Sequence, residues 1–150
     1  MNTAKHLNGS SLRLLLKRRF PFWNKDYFPA MLLASVIGTF FDDYFVKQRL
    51  YAFPLRPFPE IFSVNIAFTL VGLPIFVMIF LHYMNQVNPW GKVGLTLFLS
   101  LLMPIFEKLA EVCGLFVHSS EWKHIYTLAG YLLFLSIIYG FHQWLEKRKR

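Results

Sequence analysis

Ile61-Phe-Ser-Val-Asn-Ile-Ala-Phe-Thr-Leu-Val-Gly-Leu-Pro-Ile-Phe-Val-Met-Ile-Phe-Leu-His-Tyr83 carries no formal charge along a stretch long enough to cross a lipid hydrocarbon core. Three more apolar windows flank it: 29–46, which ends in Asp42-Asp43, then 93–117 and 124–145. At 1.5 Å per residue, helices of these lengths reach about 27–37 Å, against a hydrocarbon core of about 30 Å. The windows lack the apolar/polar alternation of a membrane strand, and a helix satisfies its own backbone in lipid. The expected fold is therefore all-α: an integral membrane four-helix bundle.

The rest of the composition agrees. Of the 150 residues, 55% are apolar and only 16% charged, where a soluble domain keeps about a quarter of its residues charged. The net charge of +8 gathers in N- and C-terminal blocks rather than on one folded face, so no nucleic-acid partner is expected. Blocks placed beside apolar segments suit anionic lipid headgroups. Within residues 1–28, Ser10 and Ser11 precede leucines interleaved with basic residues, then Pro21 and Trp23. That pattern predicts a short amphipathic helix lying on the membrane surface. Lys17-Arg18-Arg19 interrupts any signal-peptide core, so the start is expected to be retained. Residues 146–150 form a second basic tail.

Orientation follows from Lys and Arg. With the N-terminus inside, the inner side holds eleven of them and the outer side four, which predicts cytoplasmic N- and C-termini in a multi-pass cell-membrane protein. This orientation collects the unusual polar groups on the outer side: Asp42, Asp43, Arg56, Asn65, Glu107, Lys108 and Glu111. Ionisable groups within a membrane span cost at least about 2.5 kcal/mol at mid-depth, so they pair or face a cavity.

Glu107 and Glu111 are four apart and share a helix face. Two such carboxylates can bind a cation, relay protons, or divide into acid and base; equally, they can pair with Arg49, Arg56 or Lys108 and hold helices together. Pro54, Pro57 and Pro59 stiffen the loop 51–60, from which Arg56 is expected to turn toward the carboxylates. His118 and His124 flank the next outer loop without ligand spacing to a carboxylate, so ordinary interfacial histidines are expected, with a zinc site the minor alternative; no metal and no cofactor is assigned. Pro74 and Pro104 are expected to kink their helices, and Gly72, Gly94 and Gly130 to admit close packing. Cys113 is the only cysteine and reads as a small apolar residue within a helix.

The order Phe41-Asp42-Asp43, then Pro-Leu-Arg-Pro-Phe-Pro-Glu-Ile-Phe62, Pro74, Pro-Ile-Phe-Glu107 and Trp122-Lys-His124 resembles an uncharacterised family of small multi-pass membrane proteins of spore-forming Gram-positive bacteria, the bacilli and clostridia. The resemblance spans roughly residues 27–145. It implies a helical fold in a bacterial plasma membrane and supplies no activity, cofactor or catalytic residue.

Three function classes follow from the residues. One is a non-enzymatic binding or interaction component with a polar extracytoplasmic pocket, working as a homo-oligomer or with a membrane protein partner. The others are a membrane enzyme acting on lipid or envelope precursors, and an ion or proton carrier using the same carboxylates.

Overall fold

A computed structural model describes residues 23–150. The expected surface helix before Trp23 lies outside the described residues. Among them, four helices carry the fold: α1 (Phe28–Lys47), α2 (Leu73–Met84), α3 (Pro89–Val112) and α4 (His124–Lys149). The stretches Lys25–Lys47, Pro89–Val112 and His124–Lys149 are long and apolar enough to cross a membrane.

Local chemistry sets the boundaries. Asn24 accepts a hydrogen bond from the Asp26 backbone N–H at 3.0 Å in the short turn that leads into α1. Asn88 accepts from the Gly91 N–H at 2.7 Å, and Pro89 takes the first helical position of α3. That cap starts the third helix at Pro89 rather than at residue 93.

The second window does not form one helix from Ile61. Its helical part begins near Asn65, whose side chain accepts from the Phe68 N–H at 3.3 Å, and opens as a π-helical turn, Phe68–Gly72. Pro74 has no N–H to offer the Leu70 carbonyl, so regular α-helical bonding is interrupted just where the π-turn stands. The apolar helix Phe68–Met84 is correspondingly shorter than its window. α4, by contrast, continues through the basic residues to Lys149.

α1 and α3 end alike. Leu50 N–H bonds to the Phe45 carbonyl and Arg49 N–H to Val46; Leu115 N–H bonds to Ala110 and Gly114 N–H to Glu111. Each is a Schellman closure with a left-handed residue, Arg49 at φ 59° and Gly114 at φ 71°. This closure ends the third helix at Val112 instead of residue 117. The chain leaving each helix then enters a two-residue strand, β1 (Tyr51–Ala52) and β2 (Val117–His118). They pair antiparallel with Tyr51 opposite His118.

Arg49 occupies a conformation that costs a non-glycine residue about 1–2 kcal/mol. Arg49→Gly is therefore expected to raise stability by up to about 1 kcal/mol, and Gly114→Ala to lower it by a similar amount. Thermal unfolding in detergent micelles checks both signs.

The main core joins α1, α2 and α4 through Ala30, Ala34, Val77, Phe80, Leu81, Leu135 and Ile138, all buried. Ala30, Ala34 and Gly38 make a small-residue stripe at four-residue spacing. A Cβ at Gly38 would stand 2.4 Å from the Leu73 Cδ2, so this glycine, not the expected Gly94 or Gly130, marks the close approach. Around the core the exterior is apolar: Leu32, Val36 and Phe40 on α1 and Leu97, Phe98, Leu101 and Ile105 on α3 face outward.

Candidate functional site

The C-terminal ends of α1 and α3 and the N-terminal end of α4 meet under the paired strands. There Tyr51, Phe116 and Trp122 form a second buried cluster, backed by Phe45, Leu50 and Phe53. The Tyr51 and Trp122 rings meet edge-on with centroids 4.9 Å apart, and Phe45 stands 5.3 Å from Trp122.

A carboxylate lies against each side of this ring pair. Tyr51 donates its hydroxyl to Asp42 at 2.6 Å. Trp122 donates its indole N–H to Glu107 at 3.0 Å. Burial first, and then the nearby Asp42 charge, raise the Tyr51 phenol above the ordinary tyrosine range, so the hydroxyl remains a donor at neutral pH.

Glu107 is the hub. Besides Trp122 it accepts from His124 Nδ1 at 2.6 Å and from the Thr127 hydroxyl, and its side chain is only 10% exposed. Three donors from one loop and the first turn of α4 thus converge on one helix-borne carboxylate, tying α3 to α4. Charge-assisted bonds of this kind are the strong ones.

Beside the hub, His118 Nε2 stands 3.3 Å from Glu111 Oε1, and the His118 and His124 rings lie edge-on at 5.1 Å. His118 Nδ1 is 2.8 Å from the Ser119 carbonyl, which can only accept. One ligating atom each of Glu111, His118 and His124 falls within 4.8 Å of the others, and all three residues are half-buried. His118 also lines an open cleft of about 230 Å³ with Val46, Arg49, Tyr51, Val117 and Ser119.

The expected site residues divide. Asp42, Glu107 and Glu111 belong to this cluster, with Asp43 at its margin, paired to Lys47 at 2.5 Å and accepting from Ser63 at 2.9 Å. Lys108 pairs with Glu111 Oε2 at 2.5 Å. Asn65 is a helix cap.

Arg56 does not turn toward the carboxylates. Its guanidinium donates to the backbone carbonyls of Phe53, Phe62 and Pro59 at 2.6, 2.7 and 3.2 Å. The three prolines offer no N–H, and the arginine satisfies acceptors that the folded loop leaves over. Tyr51, Trp122 and Thr127 are the members that sequence reasoning missed, and His118 and His124 those it undervalued. They reach the cluster from 15 to 20 residues away or across the strand pair, where no helical periodicity signals them.

Comparison with protein-family models, curated proteins and solved structures finds no match to this chain.

Proposed function

We propose that this chain is an integral membrane protein crossing the bilayer four times, with both termini in the cytoplasm and a binding site at the extracytoplasmic end. The resemblance to the bacillar and clostridial family would place it in a bacterial plasma membrane. The observation that carries the site is Glu107: a nearly buried carboxylate, on a helix whose exterior is largely apolar, holding three donors in fixed positions. The apolar exteriors of α1 and α3 would stand in water as a patch far beyond what soluble monomers carry, and in lipid they are at home. The helix Phe68–Met84 rises about 25 Å, a little short of the hydrocarbon core. Exposed Phe58 and Ile61 in the preceding loop extend the apolar surface on that side. Basic tails at the other end would anchor the protein on anionic headgroups.

Beside the hub, the half-buried Glu111, His118 and His124 gather two imidazoles and a carboxylate within 4.8 Å, which fits a binding component. Two results test this reading. The protein should remain in the membrane pellet through alkaline carbonate washing and leave it only with detergent; release by carbonate would overturn membrane integration. In a strain lacking its own copy, E111Q and H118A at wild-type membrane levels should fail to restore the deletion phenotype. Full restoration by both would reduce the layer to a structural role.

A further inference from the structure

We propose that Glu111, His118 and His124 form a site for a divalent transition metal of the zinc class. The proposal rests on reading this end of the molecule as a binding site and names the ligand that site takes.

Three observations carry it. First, the donor set is two imidazoles and one carboxylate, gathered within 4.8 Å. Nitrogen donors select zinc and its neighbours over magnesium and calcium, and three protein ligands with one position left open is a common zinc arrangement.

Second, both imidazoles are already oriented. His124 Nδ1 faces the Glu107 carboxylate at 2.6 Å and His118 Nδ1 faces the Ser119 carbonyl at 2.8 Å. Neither oxygen can donate, so each Nδ1 carries the hydrogen; the His118 Nε2 then faces Glu111 Oε1, with the His124 ring edge-on beside it. A carboxylate or carbonyl behind the histidine is the usual outer arrangement of a ligating imidazole. Glu107 is in these terms a positioning residue.

Third, the spacing fits. Ligands about 2.0–2.1 Å from a tetrahedral zinc stand about 3.3–3.4 Å from one another. His118 Nε2 and Glu111 Oε1 are 3.3 Å apart. All three donor atoms lie within 4.8 Å of one another, so reaching that spacing needs at most about 1.4 Å of closing. Lys108 holds the other Glu111 oxygen, Oε2, and is itself exposed, so it orients the carboxylate without occupying Oε1.

The test uses tag-free full-length protein in nanodiscs of zwitterionic lipid, stripped with chelator and titrated with zinc chloride by calorimetry. Cobalt chloride serves in parallel as the visible-absorption probe. One zinc per chain is expected, with cobalt d–d bands of a four- or five-coordinate site. H118A and E111Q should abolish those bands. Glu107→Gln should retain one equivalent at about 10–100-fold weaker affinity, with displaced band energies that a general loss of folded protein would not produce. Circular dichroism on each variant separates ligand loss from unfolding, and either H118A or E111Q alone suffices. No stoichiometric zinc on the wild type, or undiminished binding by folded H118A and E111Q, would overturn the site. Retention in carbonate-washed membranes would stand regardless, so the two failures are distinguishable.

Discussion

Glu107→Ala is expected to destabilise the protein by about 3–5 kcal/mol, the effect of removing one partner from a buried, charge-assisted network. The substitution orphans the Trp122 indole N–H, the His124 ring nitrogen and the Thr127 hydroxyl together. Each unsatisfied buried donor costs about 1–3 kcal/mol, moderated here by the partial exposure of His124. Glu107→Gln keeps one carbonyl acceptor but puts an amide where a second acceptor stood, so a loss of about 1–3 kcal/mol is expected. Thermal or denaturant unfolding in detergent micelles, followed by tryptophan fluorescence, measures the series. Equal stability of the wild type and the alanine variant would mean that the three donors find other partners, and the hub would lose its role.

Trp122→Ala follows at about 3–5 kcal/mol, the usual range for emptying a buried aromatic site. Trp122 is 8% exposed and packs against Phe45, Tyr51 and Tyr126 while bonding to Glu107. Trp122→Phe keeps most of the ring contact and drops the N–H, so about 1–2 kcal/mol of the effect should remain. Because Trp122 and Glu107 share a bond, their substitutions should not add. A double-mutant cycle of Trp122→Phe with Glu107→Gln is expected to give a coupling of at least about 0.5 kcal/mol.

Helices were readable because lipid-length apolar runs are a property of composition, which survives any error of a few residues. Their ends were less so. Asn65 and Pro74 lie inside the uncharged run 61–83, and their effect on the start of the second helix depends on backbone hydrogen bonds that hydropathy does not record. Glu107 and Glu111 were visible as carboxylates in an apolar setting. What surrounds them was not, because Tyr51, His118 and Trp122 arrive from two loops joined by a strand pair only two residues long. Nor could spacing foresee that Arg56 would satisfy backbone carbonyls, since the need for it arises only once the proline-rich loop folds back. Gly38 was overlooked for a similar reason. Its neighbour Leu73 is set by how α1 crosses the second helix.

The sidedness of the polar layer is open to direct measurement through Cys113, an exposed residue at the end of α3 beside the Glu111 turn. Intact cells expressing the wild type are treated with a membrane-impermeant maleimide, and a Gln86→Cys variant in a Cys113→Ser background reports the opposite end. Labelling in denaturant gives the total for each. If the layer faces outward, Cys113 labels in intact cells and the cysteine at position 86 only after permeabilisation. Labelling of position 86 in intact cells, with Cys113 protected until the membrane is opened, would contradict the placement of the site outside the cell.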